Sequence, residues 1–174
     1  MKKTCPITRP NFKEILLGSR VNPGFTLIEL LITVSIISII FSLGLAQYMK
    51  FNRQQILDQA VLELKTNLAN AQNMALSGKK QCTSGGFDGI LVEAINDKGY
   101  KISSSCDKGA DKVVIGEYQF PQGVIRQGEL TPILFKPLTG GTNLVADQTI
   151  TLSLGMGMTG GVEVAREGKI ELVP

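Results

Sequence analysis

Histidine and tryptophan are both absent from this chain, which has 174 residues and only three cysteines. Histidine is the commonest general base and the commonest protein ligand of metal ions. Its absence therefore removes the simplest routes to hydrolysis and to a metal site, and no serine can be activated by a Ser-His-Asp triad. We expect a protein that is not an enzyme and that needs no cofactor and no metal.

Charge of one sign is scarce outside the first 24 residues. The whole chain has a formal charge of +3. Residues 1–24 contain five basic side chains and one acidic side chain, so residues 25–174 keep a side-chain charge of −1. A domain so close to neutral has no overall field that attracts nucleic acid, which makes nucleic acid an unlikely partner. The charged residues of the basic leader are Lys2, Lys3, Arg9, Lys13, Glu14 and Arg20.

The three cysteines divide between the leader and the rest of the chain. Cys5 lies in the leader, and Cys82 and Cys106 form an even pair in the remainder. If the remainder is exported, a disulfide between Cys82 and Cys106 is expected, because oxidising compartments permit one. Two reduced and buried cysteines are the alternative.

One long apolar run follows the leader. The segment Leu30–Met49 has 20 residues and no charged residue. At about 1.5 Å per residue a helix of this length covers about 30 Å, the thickness of the hydrocarbon core of a membrane. The heavier positive charge precedes the run, which predicts a cytoplasmic leader and an outward-facing remainder.

Three interpretations of this segment compete. A secretory signal peptide would use Gly44-Leu45-Ala46 as a small-x-small cleavage site, and a simple anchor would remain uncleaved. Neither uses the block Gly24-Phe25-Thr26-Leu27-Ile28-Glu29 that begins the run. The third interpretation, a prepilin-type signal, gives a role to the Gly-Phe junction and to the glutamate.

Glu29 is chemically unusual at the mouth of an apolar segment. An ionised carboxylate there costs several kcal/mol unless it is paired. A cut after Gly24 would give Phe25 a free ammonium group four residues from Glu29. The two groups could pair within one helix, or between neighbouring subunits, where a wrong axial register would leave a charge unpaired. Alternatively, Glu29 reaches the lipid headgroups.

The stretch from Gly24 to Ala46 resembles the N-terminus of type IV pilin-like proteins, which include pilins, minor pilins and secretion-system pseudopilins. The resemblance implies that prepilin peptidase cuts after Gly24 and that the new N-terminal residue, Phe25, is N-methylated. It also implies that Glu29 pairs with the Phe25 ammonium group of a neighbouring subunit during assembly. Many members of the family have a proline where this chain has Ala46, which predicts a straighter helix here.

The helix is expected to continue beyond the apolar run. Apolar residues recur at alternating steps of four and three, which predicts an amphipathic helix. Ser77-Gly78 should end it, with Gly78 as the residue after the C-cap. The predicted stripe consists of Leu57, Val61, Leu64, Leu68, Ala71 and Ala75.

Beyond Gly78 the chain becomes rich in glycine and in short runs of β-branched residues, which predicts strands. The candidate strands are Ile90–Ile95, Tyr100–Ser104, Val113–Phe120, Ile133–Phe135, Thr149–Leu154, Val162–Ala165 and Lys169–Val173. These short strands with intervening turns predict antiparallel pairing with one face packed on the helix.

Two hairpins follow from the requirement that apolar side chains share a face. A three-residue loop at residues 166–168, with Gly168 left-handed, pairs Val164 with Ile170 and Val162 with Leu172. The same reasoning predicts a three-residue loop at Asp97-Lys98-Gly99, between the segments 92–94 and 102–104.

The predicted fold class is α+β: a long N-terminal helix, apolar and transmembrane in its first half and amphipathic in its second, packed on an antiparallel β-sheet head. The predicted parts are the removed leader 1–24, the membrane or filament-core helix 25–49, the amphipathic helix 50–78 and the head 79–174. The order of elements resembles the GspH/FimT group of minor pseudopilins.

Two motifs suggest chemistry that their context does not support. The glycines at 155, 157 and 160 match G-x-G-x-x-G, but a strand rather than a helix follows them, so a nucleotide site is not expected. Asp107 and Asp111 lack the alternating oxygen ligands and the glutamate of a calcium-binding loop.

The expected function is that of a structural subunit of a type IV pilus or a type II secretion pseudopilus. The resemblance implies prepilin peptidase, other pilins or pseudopilins, and the inner-membrane assembly platform as partners, with membrane lipid around the helix before assembly. It implies an inner-membrane precursor with the head outside, and later a periplasmic pseudopilus or a surface filament. The alternative is a tip pilin whose head binds DNA or another ligand.

Overall fold

The computed structural model describes residues 24–79, 81–82, 85–155 and 157–173. Residues 1–23 of the predicted leader 1–24, including Cys5, lie outside the described residues. The chain falls into two compact units, Met1–Leu45 and Ala46–Pro174. The order of elements is one helix followed by eight strands, as the predicted α+β class requires.

Helix α1 spans Leu27–Leu76, so it covers the predicted helical parts 25–49 and 50–78 except for two residues at each end. Gly78 ends it with a φ of 62°, a left-handed conformation that glycine adopts without steric penalty. The N–H of Gly78 donates to the carbonyl of Ala75 at 3.1 Å, and the N–H of Lys79 donates to that of Met74 at 3.1 Å. This pair of bonds is the Schellman motif, so the prediction of Gly78 as the residue after the C-cap is confirmed.

The strands form two four-stranded antiparallel sheets, where the sequence predicted one. The first has the order β3-β2-β1-β5 and the second the order β4-β6-β7-β8. The strands are β1 (Phe87–Asn96), β2 (Gly99–Cys106), β3 (Asp111–Gln119), β4 (Ile125–Gln127), β5 (Ile133–Phe135), β6 (Gln148–Ser153), β7 (Thr159–Val164) and β8 (Ile170–Val173). β4 was not among the candidate strands, because its sequence, Ile-Arg-Gln, has a single apolar residue and no run of β-branched or aromatic residues.

The hydrophobic core of the second unit contains side chains from α1 and from both sheets. Every residue of the predicted stripe is buried, with at most 7% of its surface exposed. These side chains pack with apolar residues of both sheets, among them Ile90 and Phe135 of the first and Leu152 and Val162 of the second. The amphipathic part of α1 therefore supplies one face of the core, as its spacing predicted.

The C-terminal hairpin has the predicted register. Val164 pairs with Ile170 and Val162 pairs with Leu172. Gly168 has a φ of 95°, as the predicted three-residue loop requires. The face-sharing argument is valid here because Val162 and Val164 both point into the core.

The other hairpin prediction was wrong. Asn96 pairs with Gly99, so the turn has two residues, and Val92 pairs with Ile102 across a register irregularity between Ala94 and Asn96. Lys98 donates its N–H to Asn96 Oδ1 at 2.8 Å, an Asx turn.

Gly99 is not a left-handed turn residue. It belongs to β2, where a Cβ would lie 2.6 Å from the carbonyl oxygen of Tyr118 on β3. The glycine therefore permits close approach of two strands, which a reading of the hairpin alone could not reveal.

Candidate functional site

Thr26 caps the N-terminus of α1. Its carbonyl accepts a hydrogen bond from the N–H of Leu30 at 3.1 Å, the first bond of the helix. Its hydroxyl oxygen accepts one from the N–H of Glu29 at 3.3 Å. Thr26 is thus the N-cap, and Glu29 stands at the third helical position, in the Thr-x-x-Glu pattern of a capping box. The sequence analysis missed this role, although the pattern before an apolar run signals it.

Glu29 lies in the first turn of the helix. A negative charge there is stabilised by the free N–H groups and the positive end of the helix dipole. Among the described residues its carboxylate forms no ion pair. The start of the helix therefore positions the carboxylate of Glu29. The described residues of the uncut chain supply no cation that pairs with it.

Gly24 is not required by its own surroundings. A Cβ placed on it would meet no described atom within 4 Å, and its backbone is not in the left-handed region. The described residues therefore give no reason for a glycine at this position.

The apolar segment 25–45 belongs to the first unit, and no described residue of that unit covers it. Its described large apolar side chains are 53–80% exposed. Such a continuous apolar surface marks contact with lipid or with other protein. Among the described residues, α1 is the one helix long and apolar enough to cross a membrane, judged by length and composition.

The hydroxyl groups of this segment are all satisfied by the helix itself. Thr33, Ser35, Ser38 and Ser42 each donate to a carbonyl three or four residues earlier, at 2.8–2.9 Å. Because these groups need no water, the segment can enter a medium without hydrogen-bonding capacity at little cost. Glu29 is left as the one charged side chain between Phe25 and Met49.

Cys82 and Cys106 are joined in a disulfide, with their Cα atoms 6.0 Å apart. Cys106 ends β2, and Cys82 lies in the segment that follows the helix. The bond closes a separation of 24 residues. It therefore ties the chain leaving α1 to the first sheet, and the alternative of two reduced thiols is not the arrangement seen.

Two ionisable groups of the head are shifted by their surroundings. Burial raises the pKa of Tyr100 to about 12, and its hydroxyl accepts a hydrogen bond from Asn67 of α1 at 2.8 Å. Burial also tends to raise the pKa of Glu93, but the ammonium groups of Lys112 at 2.8 Å and Lys101 at 3.3 Å outweigh it and lower that pKa. Both sets of contacts join neighbouring elements of the head, which is a structural use.

The motifs that suggested other chemistry lie in turns and at the starts of the strands that follow them. Gly155 and Gly157 lie between β6 and β7, and Gly160 is in β7; Met156 lies outside the described residues. Asp111 is the first residue of β3. Asp107 and Lys108 have positive φ angles in the turn after β2. No group of three or more acidic, cysteine or histidine residues in the described part of the chain could hold a metal ion.

Residues 20–45 match the family model of the prokaryotic N-terminal methylation motif. The match includes the Gly24–Glu29 block and the exposed apolar segment. No curated protein and no solved structure matches the chain at a significant level. The chain thus carries a prepilin-type methylation motif, consistent with a type IV pilin-like protein, and the match covers the N-terminal part alone.

Proposed function

We propose that this protein is a structural subunit, a minor pilin or pseudopilin, of a type IV pilus or a type II secretion pseudopilus. The observation that carries the proposal is the methylation motif placed at the capped start of an apolar helix whose surface is left exposed by the described residues. Its function is assembly, and the proposal assigns it no catalytic step.

The first step of the proposed mechanism is proteolytic. Prepilin peptidase hydrolyses the peptide bond between Gly24 and Phe25, which removes the basic leader and leaves an ammonium group on Phe25. Methylation of that nitrogen keeps its positive charge. The cut falls just before the N-cap Thr26, so the helix retains its cap after the leader has gone.

The second step is insertion of the helix among the helices of other subunits. The apolar segment leaves lipid for a bundle of similar helices, where its self-satisfied hydroxyl groups need no other partner. Glu29 then requires a cation, because an unpaired carboxylate in such a bundle costs several kcal/mol. The Phe25 ammonium group of a neighbour supplies it and fixes the axial register.

The proposed location follows from the same segment. The precursor spans the inner membrane once with its head outside, and it interacts there with the assembly platform and with other pilins. The disulfide between Cys82 and Cys106 supports an oxidising compartment for the head. Within the family, the order of one long helix and two antiparallel sheets favours the GspH/FimT group of minor pseudopilins.

The test is Glu29→Ala in the full chain, expressed in its host. We expect normal membrane insertion and normal cleavage but loss of the protein from sheared filaments or cross-linked pseudopili. Glu63→Ala is the matched control, since Glu63 is an exposed glutamate on the same helix. Normal incorporation of the Glu29 variant would sink the charge-register mechanism.

A further inference from the structure

Leu138 is an exposed leucine on a strained turn. Its side chain is 85% exposed, and its φ is 67°. The N–H of Thr139 donates to the carbonyl of Pro137 at 2.8 Å, which closes a three-residue turn around Leu138. A γ-turn with positive φ is rare and strained, and Leu138 does not pack on the core of the described residues in return.

The loop that carries Leu138 is held rigidly at its base. The N–H of Lys136 donates to the carbonyl of Gly141 at 2.8 Å. Gln72 of α1 donates its amide to the carbonyls of Gly140 at 3.2 Å and Gly168 at 2.8 Å. Because neighbouring elements hold the strained turn, Leu138 is presented in a fixed position, which lowers the entropic cost of docking it.

An apolar groove lies at the end of the second sheet that is opposite to the Leu138 loop. It has a volume of about 590 Å³ and is lined by Gln54, Asp58, Val61, Leu62, Thr159, Gly160, Leu172 and Val173. Leu62 and Leu172 remain about half exposed there. A Cβ on Gly160 would lie 3.3 Å from Val61 Cγ2, so the glycine keeps the floor of the groove open.

Leu138 and the groove cannot meet within one chain. The groove lies where β7 begins and β8 ends, whereas Gly168, in the turn between those strands, contacts the base of the Leu138 loop. A contact between two different sites at opposite ends of one head is heterologous, so it generates a ring or an open series of copies rather than a two-fold dimer.

The charges beside the two sites are complementary. Lys136, two residues from Leu138, is exposed, and Asp58 stands on the rim of the groove one helical turn from Leu62. Neither forms an ion pair among the described residues. Asp58 accepts only a 3.3 Å hydrogen bond from the amide of Gln54.

We propose that Leu138 of one copy docks into this groove of a second copy, with Lys136 of the first facing Asp58 of the second. The proposal rests on the proposed function, because it describes a contact between heads of subunits assembled through their helices. It assigns that contact to particular residues: an apolar anchor, an open glycine-floored groove and one rim charge on each side.

Site-specific cross-linking in host membranes tests the contact. Two tagged full-length copies, both with Cys5→Ser, carry Leu138→Cys in one and Leu62→Cys in the other. On mild oxidation we expect the mixed dimer in at least about tenfold excess over dimers of either single variant. Val145→Cys replaces Leu138→Cys as the control, since Val145 is an equally exposed apolar residue in a loop of the same head. A mixed dimer no more abundant than this control overturns the proposal.

Charge reversal, made in the same pair of cysteine variants, gives a second measurement. Lys136→Glu should lower the mixed-dimer yield by about two- to fivefold, and Asp58→Lys in the second copy should restore it. Loss of yield without restoration by the double reversal overturns the assigned charge pairing.

The outcome is separable from the test of the proposed function. If Glu29→Ala blocks incorporation but the Leu138–Leu62 pair does not cross-link, the docking is wrong and the function stands. If Glu29→Ala is incorporated normally while the pair cross-links, the heads dock but the helix-register mechanism is wrong.

Discussion

Helix α1 contains two regions with the same backbone and opposite surroundings. Before residue 46 its described large apolar side chains are more than half exposed, whereas from Leu57 to Ala75 the apolar stripe is buried against two sheets. In the first region the apolar residues surround the helix, and in the second they occupy one face. The buried region thus meets its partner within the head, whereas no described residue covers the exposed region.

Polar groups in the two regions differ in the same way. In the exposed apolar region the hydroxyls of Thr33 and Ser35 bond back to the helix. In the buried region Asn67 and Gln72 reach across to Tyr100 and to the loops of the head. A helix that will enter lipid or a bundle satisfies its own polar groups, while a helix fixed in a core can use them for tertiary contacts.

The largest expected effect on stability comes from shortening an apolar side chain in the buried region. The same kind of change in the exposed region serves for comparison. Leu68→Ala should lower the free energy of unfolding of the head by about 2–5 kcal/mol, because Leu68 is fully buried. Ile36→Ala, the matched change in the exposed region, should leave it within about 0.5 kcal/mol. Thermal denaturation of the full chain in detergent micelles measures both, and equal losses would break the comparison.

Reduction of the disulfide should affect the head alone. Loss of the bond between Cys82 and Cys106 is expected to cost about 3 kcal/mol in the chain-entropy model. The paired change Cys82→Ser and Cys106→Ser should reproduce the effect of reductant on the unfolding temperature. A reductant-sensitive unfolding temperature in that double variant would show that another cysteine is responsible.

Removal of the N-cap should affect the first turn of the exposed region. Thr26→Ala is expected to cost about 1 kcal/mol of local helix stability, because the Glu29 N–H loses its acceptor. Hydrogen exchange of the first-turn amides in micelles should accelerate about fivefold. Thr33→Ala is the control, since the Thr33 hydroxyl donates to a carbonyl and caps nothing; equal acceleration in both variants would refute the cap.

The smallest expected effect is the response of the head to acid. The pKa of Glu93 lies below its ordinary value of 4.5, so its contribution to stability is present above pH 4.5 and is lost as pH falls through the folded-state pKa. The contribution should stay below about 1 kcal/mol, because the lysine partners are partly exposed. Glu93→Gln should flatten the acid limb of the stability profile, and an unchanged limb would contradict this pairing.

The fold could be predicted from the sequence in those elements where a single buried face determines the pattern of apolar residues. The stripe from Leu57 to Ala75 and the register of Val162 and Val164 both depend on a single buried face. The predicted register of the β1–β2 hairpin was wrong because both strands bury residues on both faces. Leu91, Ser103 and Ser105 are buried along with Ile102. When both faces are buried, alternation no longer specifies the register.

The candidate site was predictable for a different reason. The order Gly24, Phe25 and Glu29 before an apolar run is a local signal, and so was the overlooked cap at Thr26. The hydrogen bonds from the Gln72 amide to the carbonyls of Gly140 and Gly168 were not predictable, because these two acceptors are 68 and 96 residues away in sequence. Only the folded chain brings them to one amide group.

The mass of the mature protein tests the central claim most directly. Intact-mass and N-terminal peptide measurements on protein from host membranes should show a chain that begins at Phe25 with an N-methyl group and ends at Pro174 or beyond. The account predicts loss of the whole basic leader, including Cys5. A mature chain that begins at residue 47, or one that still carries Met1, would contradict it.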